Sequence, residues 1–306
     1  MKVGYPCLNL SINKVNQTFR LKSYSDKRLI ETVENNLSYL LDMLKFNVEN
    51  NLLFFRISSD LVPFASHPVC NFNWENHFKE KFQALGNFIK RYGIRISMHP
   101  DQFTLINSQD ENVYERSVAE LLYHTKILDL MELDLTAKIQ IHVGGVYGNK
   151  DESITRFIRR FQVLDNTIKR RLVIENDDRL YNLRDCYRIH IETGVPILFD
   201  AFHHELNNSG EVPAEAFHLF SRTWKKEDGI PMVDYSSQEI DTRRGTHTLA
   251  IDTKHFEKFI NDTKNFDFDL MLEIKNKESS ALKAVEILSD DIRFMRALKG
   301  TVNCDA

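Results

Sequence analysis

Lys138-Ile139-Gln140-Ile141-His142-Val143 is followed by a helical pattern from about Asp151 to Lys169, and Leu172-Val173-Ile174-Glu175 by another from Leu183 to Thr193. Gly194 then stands as a C-cap before Pro196-Ile197-Leu198-Phe199-Asp200. Short apolar runs of β type alternate here with stretches of helical period. The same alternation extends in both directions. Towards the N-terminus it predicts strands over Lys2–Leu8, Leu53–Ser58 and Arg95–His99, with helices near Asp26–Glu49, Trp74–Tyr92 and Asn112–Met131. Towards the C-terminus it predicts strands over Pro231–Ser236 and Leu270–Lys275, with helices near Ala214–Lys225, Thr253–Thr263 and Ser279–Leu298. Eight strands in strict alternation with eight helices can form an open doubly wound sheet or close as a (β/α)8 barrel, and the count of eight favours the barrel. The expectation is a single TIM-barrel domain spanning residues 1–306.

Composition bounds the function classes. Hydrophobic residues make up 42% and charged residues 27%, which excludes a disordered chain. No apolar run reaches the roughly 18 residues of a membrane span, and Met1-Lys2-Val3-Gly4-Tyr5-Pro6 is unlike a signal peptide. Cys7, Cys70, Cys186 and Cys304 are far apart, so reduced thiols in a cytoplasmic protein are expected. The net charge of −4 advertises no global attraction to nucleic acid, so any contact with DNA must use local basic patches. Two are present: the loop Asn13–Arg28 holds five basic residues against Asp26, and Arg243-Arg244 lies beside His247. Both fall on the side of a barrel where strands end and active sites are built. Arg159-Arg160 and Lys169-Arg170-Arg171 fall elsewhere and read as solvated faces.

Metal-type ligands recur at those strand ends. His99 ends the third strand, His142 lies late in the fourth, Glu175 ends the fifth, and Asp200 with His203 follows the sixth. Asp234 ends the seventh, His247 lies in the loop beyond it, and Glu273 lies late in the eighth. Gaps of 43, 33 and 25 residues between the first four make no short ligand motif. A closed barrel would nevertheless converge them on one cavity. Carboxylates crowded there repel one another unless a cation binds. Mixed imidazole and carboxylate donors suit Mn²⁺, Zn²⁺ or Fe²⁺ better than Ca²⁺ or Mg²⁺. Such clusters serve phosphodiester hydrolysis and also sugar isomerisation on this fold, so the cluster alone does not choose the reaction. The other histidines read as core, loop or surface positions, with His67 the least settled.

The segment Phe55-Arg56-Ile57-Ser58-Ser59-Asp60-Leu61-Val62-Pro63-Phe64-Ala65-Ser66-His67-Pro68 resembles the second-strand motif of the UV damage endonuclease family. His99-Pro100-Asp101-Gln102-Phe103, Ile141-His142-Val143-Gly144-Gly145, Leu172-Val173-Ile174-Glu175-Asn176-Asp177-Asp178 and Phe199-Asp200-Ala201-Phe202-His203-His204 match its successive motifs in order. The resemblance runs from Lys2 to about Lys275. It implies a metal-dependent barrel, similar in fold to the endonuclease IV group. It also implies a repair nuclease that incises damaged duplex DNA immediately 5′ of cyclobutane dimers and 6-4 photoproducts, leaving a 3′-hydroxyl and a 5′-phosphate.

Carried over by position, the resemblance assigns His99, His142, Glu175, Asp200, His203, His247 and Glu273 to metal, with Glu175 and Glu273 as bridging carboxylates and as catalytic groups. Two or three divalent ions are implied, Mn²⁺ by preference and Zn²⁺ next. Tyr5 and Asn9 match positions close to the lesion or the strand, and Gln102-Phe103 a dipeptide that wedges into the duplex. Arg243 and Arg244 are candidate phosphate contacts, and Lys275 a catalytic lysine near Glu273. The chain departs from the family on the seventh strand, where some members have Lys and His two residues apart and this chain has Met232 and Asp234. Asp234 can still bind a metal; Met232 cannot replace a lysine. A monomer with no obligate protein partner is expected. The rivals are a sugar isomerase or epimerase on the same barrel and an inactive damage-binding protein.

Overall fold

The computed structural model describes residues 1–297. In chain order it comprises β1 (Val3–Pro6), α1 (Asp26–Glu49), β2 (Phe54–Ile57), α2 (Trp74–His77), α3 (Lys79–Tyr92), β3 (Arg95–Met98), α4 (Glu111–Leu130), β4 (Lys138–His142), α5 (Lys150–Val163) and α6 (Asn166–Lys169). There follow β5 (Leu172–Glu175), α7 (Leu183–Thr193), β6 (Ile197–Asp200), α8 (Ala201–Leu206), α9 (Pro213–Ser221), β7 (Met232–Tyr235), α10 (Thr253–Asp262), β8 (Asp269–Leu272) and α11 (Glu278–Ile287). The eight strands pair in sequence order, all parallel, and β8 closes on β1 through Val3 opposite Leu270. The chain is the (β/α)8 barrel expected.

Helix extents differ where local chemistry overrides period. The pattern over Trp74–Tyr92 breaks at Phe78 (ψ 7°), which ends α2 and starts α3. The pattern over Asp151–Lys169 breaks at Leu164 (ψ 152°), after which the Asp165 carboxylate accepts from the Thr167 N–H and caps α6. The last helix stops at Ile287, and its expected end at Leu298 lies outside the described residues.

Side chains alternate on the strands between two cores. Outward residues join the helices in one continuous apolar cluster. Inside the barrel a separate layer of Phe54, Val173, Leu198, Met232 and Met271 is fully buried. Below it, towards the strand starts, Arg95 pairs with Asp269 at 2.8 Å and Lys138 with Asp228 at 2.5 Å, both pairs buried. Above it stand the ionisable strand-end residues. An apolar plug therefore separates the two polar ends and removes water from the floor of the upper one. Closure at β1 demands Gly4, where an added Cβ would fall 1.5 Å from the Phe54 carbonyl oxygen.

Arg160 and Arg171 are buried rather than solvated. Arg171 donates to the carbonyls of Leu133, Asp134 and Ala137 and to Asp129. Arg160 donates to the carbonyls of Ile106 and Ser108 and pairs with Glu111 at 2.7 Å. A loop carbonyl without a donor is costly to bury, and a five-donor guanidinium meets several at once.

Candidate metal centre

β4, β5, β6, β7 and β8 bring His142, Glu175, Asp200, Asp234 and Glu273 to one end of the barrel. His99 stands one residue beyond β3, His203 on the first turn of α8, and His247 in the loop after β7. Three groups form in which ligand atoms lie within 4.8 Å of one another: His99–His142–Glu175, Glu175–Asp200–His203 and Asp200–Asp234–Glu273. Glu175 and Asp200 each belong to two of these groups, while Glu273 belongs to one and its Oε1 pairs with Arg56. The rings of His99, His142, His203 and His247 form an arc with successive centroids 5.4, 5.8 and 6.1 Å apart.

Local structure aims these groups. The Asn176 side chain, next to Glu175, accepts from the Asp200 N–H at 3.0 Å and donates to the Asp200 carbonyl at 2.9 Å, locking β5 to β6. Asp200 Oδ1 accepts from the His203 N–H at 2.7 Å and caps α8, which turns His203 back towards the barrel axis. His99 Nδ1 lies 2.8 Å from the Pro100 carbonyl oxygen, and His247 Nδ1 2.8 Å from that of Glu273. A ring nitrogen beside a carbonyl carries the proton, so in both the Nε2 lone pair is left for a ligand.

The electrostatics are those of a cation site. Burial alone would raise the Glu175 carboxyl, but His142, His203 and His99 around it hold it well below the usual range. Burial pushes Asp200 well above its usual range, helped by repulsion from Glu175, Glu273 and Asp234. Burial likewise lifts Asp234 to about 7 against the pull of Arg56. Glu273 falls to about 2, because the Arg56 charge outweighs its burial. Burial disfavours charge on His203, yet Asp200 and Glu175 raise it to about 11. Asp200 Oδ2, Asp234 Oδ1 and His142 Nδ1 are buried without a hydrogen-bond partner. Buried polar atoms are normally satisfied, and unpartnered acceptors within one cluster of ligand-type residues fit divalent ions.

Sequence reading missed Arg56 and Gln140. Arg56 NH2 lies 2.6 Å from Asp234 Oδ2, and Gln140 Nε2 donates to Glu175 Oε2 at 2.9 Å and to Asp234 Oδ2 at 2.8 Å. The available signal was a charged residue inside the apolar run Leu53–Ser58, a position that demands buried partners.

The expected lesion contacts divide. Tyr5 and Asn9 are buried. The Tyr5 hydroxyl donates to Asn47 at 2.8 Å and accepts from Asn9 Nδ2 at 2.8 Å, so the DNA-free chain holds both inside the fold. Gln102 and Phe103 sit on an exposed turn, and Phe103 is 58% exposed. That turn has a rigid root: Arg156 and Arg160 hold the carbonyls of Ile106, Asn107 and Ser108, and Asn107 Nδ2 donates to the Gly145 carbonyl at 2.8 Å. Gly144 (φ +114°) is required, since a Cβ there would lie 2.3 Å from Asn107 Oδ1. On the Gln102 side a cavity of about 370 Å³ reaches His99, His142 and His203; on the Phe103 side one of about 560 Å³ is lined by Phe64, His67 and Glu120. Phe64 also packs with Phe19 and Tyr24.

Arg243, Arg244 and Lys275 are all exposed, and Arg244 also donates to the Leu206 carbonyl. Lys14 in the basic loop is paired with Asp42 at 2.5 Å, which trims the positive charge expected there. Cys7, Cys70 and Cys186 are free thiols, and Cys304 lies outside the described residues. Among the described residues no helix is long and apolar enough to cross a membrane.

The chain is similar to known proteins over most of its length. A UV DNA damage endonuclease of Clostridium perfringens (strain 13 / Type A) is 38% identical over 294 residues, covering 95% of this chain and 71% of its own. One from Bacillus cereus (strain B4264) is 31% identical over 283 residues, covering 92% and 89%. The crystal structure of SacUVDE superposes with a TM-score of 0.91 at 43% identity, over 95% of this chain and 98% of that one. Endonuclease IV from Thermus thermophilus shares the fold, with a TM-score of 0.58 at 14% identity over 82% of this chain and 93% of that one. The model of the family described as UV-endonuclease UvdE matches residues 1–303, and with these relatives it makes the chain an endonuclease that belongs to that family.

Proposed function

We propose that this endonuclease is metal-dependent and incises duplex DNA immediately 5′ of cyclobutane pyrimidine dimers and 6-4 photoproducts, leaving a 3′-hydroxyl and a 5′-phosphate, with abasic sites as further substrates. The observation that carries the reading is the set of three ligand groups that have Glu175 and Asp200 in common, with Asp200 Oδ2 and Asp234 Oδ1 buried and without hydrogen-bond partners. His99, His142, Glu175, Asp200, His203, Asp234 and Glu273 would hold two or three divalent ions, Mn²⁺ by preference, with the His247 ring completing the arc. Ions bound there activate water and neutralise charge on the phosphate and the leaving oxygen.

The chain's own residues do the rest. The buried carboxylates and imidazoles set the charge of the site, and the apolar layer beneath keeps water from its floor. Arg243, Arg244 and Lys275 offer exposed cations for backbone phosphates. Phe103, solvent-facing on an anchored turn, would enter the duplex with Gln102 and turn the lesion towards the carboxylates. Unstacking costs least where base pairing is already distorted, so the wedge also selects damage. A polyol isomerase would have no use for this exposed pair. In this reading the enzyme acts as a monomer, without an obligate protein partner, in the cytoplasm and on the nucleoid.

The test is nicking of an end-labelled duplex carrying one thymine dimer, beside an undamaged duplex, each with Mn²⁺ and with EDTA. A cut directly 5′ of the dimer, lost with EDTA and absent from the control, is expected. Equal cutting with EDTA, or of both duplexes alike, would refute the reading.

A further inference from the structure

The three ligand groups are chemically unequal. Two contain histidines: His99 and His142 with Glu175, and His203 with Glu175 and Asp200. The third, Asp200–Asp234–Glu273, offers carboxylate oxygen alone. It is also the group into which Arg56 reaches. The guanidinium is 3% exposed and fixed between two of the three carboxylates, 2.6 Å from Asp234 Oδ2 and paired with Glu273 Oε1. Gln140 Nε2 reinforces the grip on the same Asp234 oxygen at 2.8 Å.

We propose that Arg56 is a positioning residue of the metal centre: by engaging one oxygen of Asp234 and one of Glu273, it makes the all-oxygen group a weak, exchangeable cation site. Two ions are then held firmly at the histidine-containing groups. The inference rests on the metal-dependent reading given above.

A guanidinium cannot give up its proton, so a permanent positive charge lies against two of the three ligands. An incoming cation meets that charge at short range in a dry site, where screening is poor. The two arms of the guanidinium each occupy one oxygen of one carboxylate. On Asp234 the other oxygen, Oδ1, is left without a partner. Each carboxylate thus has one free oxygen and a fixed orientation, which suits loose binding by single oxygens and excludes bidentate binding. The Arg56 fork touches neither Glu175 nor Asp200, and a charge carried by a histidine can be given up to an incoming cation whereas that of a guanidinium cannot.

The test counts ions, independently of activity. The folded full chain, its metals removed by chelation, is titrated with Mn²⁺, and free Mn²⁺ is read by electron paramagnetic resonance. This is done for wild type, Arg56→Gln and Arg56→Lys, with circular dichroism to confirm the fold. Wild type should bind two ions firmly and a third weakly. Arg56→Gln should tighten the third by at least about tenfold, as loss of a nearby unit charge predicts, whereas Arg56→Lys, which keeps the charge, should hold it near the wild-type value. Three ions of equal affinity in wild type would overturn the proposal, as would a third ion unmoved or weakened in Arg56→Gln. Should the Arg56 variants not fold, Asp234→Asn decides: loss of the weak ion with two firm ions intact supports the proposal, and loss of a firm ion overturns it. Wild-type protein that binds no Mn²⁺ would instead sink the metal-dependent reading itself.

Discussion

Replacing Glu175 by Gln keeps shape and removes one charge at the point shared by two ligand groups. The carboxylate lies 3.6 Å from His99 Nε2, 4.0 Å from His142 Nε2 and 3.2 Å from His203 Nδ1, and is 1% exposed. A unit charge acting over about 4 Å at an effective dielectric of about 20 is worth about 4 kcal/mol. At about 1.4 kcal/mol per tenfold, that corresponds to about three powers of ten in cation affinity. The variant should therefore bind neither firm ion at micromolar Mn²⁺ and should not incise. Its fold should survive, because the retained amide oxygen can still accept from Gln140, whose Nε2 lies 2.9 Å from Oε2, and the barrel closes through backbone pairing that Glu175 does not interrupt. The assay is a Mn²⁺ titration beside nicking of a dimer-containing duplex, with a thermal melt as the control for folding. Wild-type affinity together with wild-type cutting would refute the assignment of Glu175 as the shared ligand.

Other outcomes follow from particular contacts. Gln102→Ala with Phe103→Ala should lose most of the preference for damaged over undamaged duplex while retaining Mn²⁺ binding; unchanged discrimination in a competition assay would remove the wedge. Arg160→Met strands the carbonyls of Ile106 and Ser108 and should cost at least about 2 kcal/mol, with faster proteolysis of the wedge loop; an unaltered melt would contradict it. His124 is fully buried, and burial lowers it to about 4. Its unfolded value near 6.5 means that the unfolded chain binds the extra proton, so stability is full above about 6.5 and falls with pH below it. Between pH 7.5 and pH 5 this is worth about 2 kcal/mol. Denaturant unfolding of wild type and His124→Gln at both pH values should show that difference shrink in the variant, and an equal loss in both would refute it.

The fold and the convergence of ligand-type residues at the strand ends were legible because each depends on local pattern. Eight apolar runs of strand length mark the barrel whatever their partners, and residues at strand ends must converge once it closes. Helix breaks at Phe78 and Leu164 were not legible, since both depend on a single ψ that packing selects. The fates of the cations were also hidden. Arg160 and Arg243 look alike in sequence, yet one is buried under a loop and the other is exposed. Tyr5 and Asn9 lie at the right strand end, but whether they face the cavity or the α1 packing is set by how the first loop folds back on Tyr39 and Asn47.

The sequence by itself determined the barrel, the positions of the eight candidate ligands and the family, because strand period, strand order and residue type survive without coordinates. Only the tertiary structure decided that Glu175 and Asp200 each fall in two of the three ligand-type groups, that Arg56 pairs with both Asp234 and Glu273, and that Phe103 is exposed while Tyr5 is buried. Those distinctions depend on distances of a few ångströms between residues that can be more than 200 positions apart in the chain, as Arg56 and Glu273 are. Coulomb and hydrogen-bond energies at such range depend on separation and solvent exposure, quantities that exist only once the chain has folded.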